Sequence, residues 1–304
     1  MLNFLPAPVR GVVALLLYTL NTIGCFVTMF PLILLKIIIF NDSVRFGLTK
    51  GLIALGMAWI HINSLILWLT QKIQWDIKGL SGFNPKASYL VISNHRSWAD
   101  ILILQHLFKR RIPFLKFFLK KELIWVPFLG IAWWALEFPF MKRYSREFIQ
   151  NHPELKGTDI ETTRKYCEKF KKSPISVINF LEGTRFDESK RQKQQSPFRH
   201  LLLPKAGGTA VVLSAMGESL DQIIDVTLIY PENKTAPSFW EFLEGRIPKA
   251  TVRIRRLDIP AEFAGANCER DKKIQEDIRH WVNALWTEKD KEIAAILEQH
   301  GRSQ

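Results

Sequence analysis

Cysteine is scarce in this sequence: three in 304 residues, at positions 25, 167 and 268. No two of them have metal-ligand spacing, and an odd count argues against a disulfide framework. We read all three as reduced thiols of a reducing compartment. The seven histidines form no spaced cluster with them, so a zinc site is not expected and no metal is assigned. There is no internal repeat, no low-complexity tract, and no serine or cysteine arranged as a nucleophile. Acidic residues are also in deficit. Asp and Glu number 29 against 42 Lys and Arg, a net charge of +13. Such a charge points to an anionic partner. No nucleic acid is expected, because charge alone favours it and no binding motif accompanies the charge. An acidic membrane surface or a phosphorylated substrate remains.

Hydrophobic residues are plentiful, at 47%. Residues 11–40 are nearly continuous hydrophobe, interrupted by Asn21, Thr22 and Lys36. A bilayer span needs about 20 apolar residues. The apolar core of a secretory signal peptide has only about 7–15, followed by a small-residue cleavage site. No such site follows here, so a retained anchor is expected. Residues 51–70 form a second, softer apolar stretch, either a second span or an interfacial helix. Basic residues flank the pair at Arg10, Arg45, Lys50 and Lys72, so the positive-inside bias does not choose an orientation. Two full spans and a shallow hairpin in one leaflet both stay open.

From about residue 73 the texture turns globular. Residues 74–78 alternate as a strand does, and 81–85 read as a turn. Runs at 88–93 and 175–181 read as buried strands, and 225–230 and 250–256 as further strands. Helical patterns cover 100–108, 159–172 with Asp159 as N-cap, 209–216 and 272–298. The basic, glutamine-rich stretch 190–195 reads as an exposed loop. Strands alternating with helices predict an α/β fold. Its mixed, mostly buried sheet is flanked by helices and preceded by an N-terminal hydrophobic helical membrane anchor. The expected organisation is an anchor over 1–72 and one catalytic domain over 73–304, closed by the long helix.

Three motifs carry candidate chemistry. His95 and Asp100 follow the strand at 88–93. Within one helix, side chains five apart point about 140° away from each other. If His95 lies in a loop and Asp100 opens the next helix, the carboxylate can reach back to the imidazole. It then fixes the tautomer and leaves the other ring nitrogen as a base. On spacing alone, a structural His–Asp pair is the commoner case. The second motif, Glu182-Gly183-Thr184-Arg185, follows the strand at 175–181. Glycine admits a close backbone approach, and Arg185 offers a planar fork for a phosphate. Glu182 could hold that arginine or a polar group of a substrate, and a plain turn with a surface ion pair is equally compatible. The third runs from Lys120 through Gly130 to Arg143, with basic ends around an apolar middle containing Trp125, Trp133 and Trp134. It suits a ligand with a phosphate head and a hydrocarbon tail, a surface that dips into a bilayer, or an ordinary buried helix pair.

The order of these motifs, followed by Val226 to Pro231, resembles the glycerolipid acyltransferase family, the PlsC-like 1-acyl-sn-glycerol-3-phosphate acyltransferases. The resemblance spans roughly residues 75–235. Val126 to Gly130, Phe140 to Ser145 and Glu161 to Arg164 are similar to its bacterial YihG-type branch. The resemblance implies that His95 is the general base and Asp100 its orienting partner. It implies that Lys120, Arg143 and Arg185 hold a glycerol phosphate, with Glu182, Gly183 and Thr184 completing that site. The implied reaction moves an acyl group from acyl-CoA or acyl carrier protein, as co-substrate, to the sn-2 hydroxyl of lysophosphatidate. No cofactor or metal is implied. The implied partners are membrane lipid, a lysophospholipid acceptor and an acyl thioester donor, at a bacterial inner membrane with the catalytic domain facing the cytoplasm. Another lysophospholipid or glycerol 3-phosphate is the alternative acceptor. A non-catalytic membrane-binding scaffold is the alternative of another class. Phe138 to Arg143 departs from the family's Gly-x-x-Phe-x-x-Arg form, which bears on the acceptor more than on the reaction.

Overall fold

The computed structural model describes residues 2–141, 173–233, 235–266 and 271–301. Two long helices come first, α1 (Ala7–Ile38) and α2 (Asp42–Thr70). Asn41 caps α2 by accepting from the Val44 amide. Next come β1 (Gln74–Lys78), β2 (Tyr89–Ser93), α3 (Ala99–Phe108) and β3 (Leu115–Phe117). Then follow β4 (Leu119–Lys120), a 3-10 turn at Lys121–Trp125, α4 (Leu129–Ala135) and β5 (Phe140–Met141). After residue 172 the elements are β6 (Ser176–Phe180), α5 (Glu188–Lys193), α6 (Gly207–Met216) and β7 (Gln222–Ile229). Last come α7 (Phe239–Leu243), β8 (Lys249–Leu257) and α8 (Lys272–Gly301).

Six strands form one sheet in the order β1-β8-β7-β2-β6-β3. Every neighbouring pair is parallel except β7 with β8. All five residues of β2 are buried, which is why it reads as a continuous apolar run without alternation. Its register sets Ser93 beside Phe180 of β6 and Val226 of β7. The β4 and β5 strands make a separate parallel pair.

Apolar side chains cover both faces of the sheet. One cluster joins Leu52, Ile60 and Leu67 of α2 to Val91, Leu104 and Val252. The other joins Leu90 and Ile92 to Leu213 of α6 and Trp286 of α8. Helices α1 and α2 therefore share a core with the sheet. The other face of α1 stays exposed through Val12, Leu16, Ile23, Val27 and Phe30. Both helices are long and apolar enough to cross a membrane.

The strands and helices expected from periodicity are present, within a few residues of their expected bounds, wherever the chain is described. Residues 190–195 differ, because α5 covers most of them. Asp187 caps that helix by accepting from the Ser189 amide at 2.9 Å, and Glu188 pairs with Arg191 one turn on. The helix expected at 159–172, with its Asp159 cap, lies outside the described residues. The sequence reading has no counterpart for β3, β4, β5, α4 or α7, which are too short to establish a period.

A buried ion pair fastens α8 to the sheet. Lys289 Nζ lies 2.7 Å from Asp225 Oδ1 and donates to the Val226 carbonyl and the Thr227 hydroxyl. Neither Lys289 nor Asp225 has side-chain exposure. Lys289→Ala leaves Asp225 with Arg255 as its remaining cation in the pair. Because Arg255 still compensates the Asp225 charge, the substitution is expected to lower stability by about 1–3 kcal/mol, read as a shift of the denaturant midpoint.

Candidate active site

Strand β2 ends at Ser93, and the Asn94 side chain takes the next rung of the sheet. Its Nδ2 donates to the Leu228 carbonyl at 2.8 Å, and the Leu228 amide donates to its Oδ1 at 2.9 Å. The side-chain amide replaces a peptide group and frees the main chain to turn away. His95 thus sits just past the carboxyl end of a central parallel strand, where open α/β sheets form ligand crevices. The parallel register brings the segment after β6 to the same edge. There the His95 amide donates to Glu182 Oε2 at 2.9 Å.

Asp100 lies in the first turn of α3 and is fully buried. Its Oδ2 accepts from His95 Nδ1 at 2.8 Å, the Arg96 amide at 2.6 Å and the Ser97 amide at 2.9 Å. Its Oδ1 accepts from the Tyr230 hydroxyl at 2.5 Å. A carboxylate only accepts, so Nδ1 carries a proton, and in the neutral imidazole the lone pair is then on Nε2. Phe180 stacks on the imidazole with centroids 4.1 Å apart and fixes the ring plane. Burial, then the Asp100 charge, push the Tyr230 hydroxyl well above the usual phenol range, so it stays a donor.

Glu182 is also fully buried. Its oxygens accept from the His95 and Leu202 amides, both at 2.9 Å. Burial dominates and pushes its carboxyl up to about 7, against the pull of those two donors.

A cavity of about 470 Å³ opens beside His95. Phe26 and Met29 of α1, Gly56 and Trp59 of α2, and Phe114 and Phe138 line its apolar part. The exposed Lys120 and Arg185 line it as well. The cavity is therefore lined by exposed cations, an oriented imidazole and apolar side chains.

A family profile described as Acyltransferase matches residues 74–231, more than half of the chain. The chain belongs to the acyltransferase family. It is 28% identical over 231 residues to the Homo sapiens 1-acyl-sn-glycerol-3-phosphate acyltransferase delta, covering 72% of this chain and 54% of that protein. It is 29% identical over 247 residues to the Mus musculus gamma form, covering 76% of this chain and 60% of that protein. The chain thus spans little more than half the length of these curated relatives. Among solved structures, the 1-acyl-sn-glycerophosphate acyltransferase PlsC from Thermotoga maritima aligns with a TM-score of 0.47 at 16% identity. That alignment covers 92% of this chain and 97% of that one.

In this acyltransferase, His95, Lys120, Gly183, Thr184 and Arg185 all line the one cavity. Asp100 and Glu182 stand behind His95, and Arg143 lies outside the described residues. Glu182 is placed differently from the motif reading. Both its oxygens are held by main-chain amides, so it braces the His95 turn from within the protein. Gly183 has φ +66, and a Cβ there would lie 3.1 Å from the Lys205 side chain. Lys190 donates to the Thr184 hydroxyl at 3.1 Å and the Arg185 carbonyl at 3.0 Å. The Arg185 guanidinium lies over the Trp98 ring at 5.0 Å.

The motif reading assigned no site role to Tyr230, Asn94, Phe180 or Lys190. Two of these had a local signal: Asn94 adjoins His95, and Tyr230 ends an apolar strand with a hydroxyl that burial obliges to find a partner. Leu202 contributes only its backbone, which no residue pattern advertises.

The raised Glu182 carboxyl has a stability consequence. Its folded value exceeds the free value of 4.5, so its contribution is full below the free range and lost as pH rises through about 7. The stability of the unaltered protein relative to Glu182→Gln is expected to fall from acidic to alkaline pH. Denaturant midpoints of both proteins across neutrality measure this, and a constant difference would refute it.

Proposed function

We propose that this acyltransferase moves a fatty acyl group from acyl-CoA or acyl carrier protein to the sn-2 hydroxyl of lysophosphatidate, forming phosphatidate. The observation that carries the reading is one imidazole, oriented by a buried carboxylate, in a cavity lined by both apolar side chains and exposed cations. The names of the curated relatives support the acceptor.

His95 Nε2 takes the proton as the hydroxyl oxygen attacks the thioester carbonyl, and Asp100 balances the imidazolium. The tetrahedral oxyanion then collapses, the C–S bond breaks, and the leaving thiolate receives the proton from His95. No covalent acyl-enzyme and no cofactor enter these steps, because the thioester is a co-substrate. Lys120, Arg185 and Arg143 hold the acceptor phosphate, with Gly183 and Thr184 shaping that pocket. Glu182 positions His95 from behind. The apolar cavity takes a hydrocarbon chain.

A membrane location is supported by the exposed apolar face of α1. That helix is tied to the catalytic part near both ends. Arg10 Nε donates to the Glu244 carbonyl at 2.9 Å, and Lys36 Nζ donates to the Ala135 carbonyl at 2.8 Å. Between these ties lie about 39 Å of helix at about 1.5 Å per residue. A helix held along that length lies beside the domain, which favours a hairpin sunk in one leaflet over two full spans. The likeness to the bacterial YihG-type branch and the net charge of +13 support a bacterial inner membrane, with the catalytic face toward the cytoplasm.

Purified protein given lysophosphatidate and a long-chain acyl-CoA is expected to form phosphatidate, and His95→Ala to lose about 100-fold or more. Retained turnover in that variant would remove the base assignment. Turnover only with glycerol 3-phosphate or another lysophospholipid would remove the acceptor. Arg185→Ala is expected chiefly to raise the KM for the acceptor, and an effect confined to the acyl donor would count against a phosphate role.

A further inference from the structure

Residues 123–136 contain no charged side chain. Four of their large apolar residues face outward at three-residue spacing: Trp125 (86% exposed), Phe128 (46%), Ile131 (47%) and Trp134 (39%). Gly130, Ala132 and Ala135 face inward. Ile131 and Trp134 share one face of α4, while Phe128 lies in the turn before that helix and Trp125 ends the preceding 3-10 turn; none of these elements gives apolar side chains a reason to line a water-facing surface.

The row adjoins the exposed stripe of α1. Phe26 meets Phe128 edge-on at 5.2 Å and lies 5.9 Å from Phe30, itself exposed. Lys36 Nζ holds the Ala135 carbonyl. Exposed Lys120 and Lys121 precede Trp125, as suits a segment entering a headgroup layer.

Phe128 belongs both to this row and to the cavity lining, and Phe26 lines the cavity beside it. On this side Phe128 is the wall between the cavity and the outside. The turn that holds it is tight. Phe128 has φ +63, and a Cβ on Gly130 would lie 1.9 Å from the Ile124 carbonyl oxygen.

We propose that Trp125, Phe128, Ile131 and Trp134 form a third bilayer-contacting element beside α1. A lipid hydrocarbon chain passes sideways from the bilayer into the cavity between Phe26 and Phe128. This route keeps the chain's methylenes out of water from bilayer to active site. The proposal rests on the acyl-transfer reading for its substrate, and the test separates the two.

Trp125 and Ile131 belong to the row without lining the cavity. Trp125→Glu and Ile131→Glu are each expected to raise the KM for long-chain lysophosphatidate about tenfold in vesicles of phosphatidylethanolamine and phosphatidylglycerol. Turnover of a short-chain, water-soluble lysophosphatidate should stay unchanged. Equal losses on both acceptors, or none on either, overturn the proposal.

Wild-type inactivity on both would speak only against the acyl-transfer reading, and a measurement independent of turnover then decides. A polarity-sensitive probe is placed on Trp125→Cys or Ile131→Cys in a chain free of native cysteines. It is expected to shift to the blue on the same vesicles and to be quenched by chain-labelled lipid. A probe on Glu188→Cys should do neither. Unquenched probes at 125 and 131 overturn the proposal whatever the activity.

Discussion

A carboxylate withdrawn from water must find donors or give up its charge. Asp100 finds four: the His95 ring, two successive amides of the turn into α3, and the Tyr230 hydroxyl. These donors come from three separate structural decisions. The amides require the chain to turn immediately after β2, and the Asn94 rung allows that turn. The hydroxyl requires β7 to lie beside β2 in parallel. The imidazole is held there at the cavity wall.

The same constraint extends outward through Glu182. Its two amide donors come from His95 and from Leu202, so the residues around 200 help to hold the His95 turn. Those residues are held in turn by α8. Asp290 accepts from the Arg199 and His200 amides at 2.9 and 2.7 Å, and Trp286 donates to the Leu202 carbonyl at 3.1 Å. The terminal helix lies beyond the residues matched by the family profile, yet it braces the loop that satisfies a buried acid beside His95. The buried Lys289–Asp225 pair fastens that helix to the sheet.

The apolar helices are part of the cavity that His95 lines. Cavity walls come from α1 and α2 as well as from residues 114–138. The one charged residue in the 11–40 run, Lys36, is buried where these pieces meet. It donates to Thr49 of α2, to the Ala135 carbonyl and to Glu137. In the sequence it reads as an interruption of an anchor. In the structure it is a tether between the anchor and the cavity wall, with its hydrogen bonds satisfied, as a buried ammonium requires.

By itself the sequence determined the alternation of strands and helices, the two long apolar helices, and the placing of His95 in a loop ahead of Asp100. These are properties of contiguous residues: period, run length and local spacing survive in a linear string. Lys120 and the Gly183–Arg185 turn are grouped through the order of the motifs and the family resemblance it carries. Only the tertiary structure decided that Glu182 is sealed inside, that Tyr230 completes the Asp100 shell, and that α1 and α2 wall the cavity. Those outcomes join residues far apart in the chain. They depend on strand order and register, which parallel pairing sets through buried contacts that leave no periodic trace between the partners.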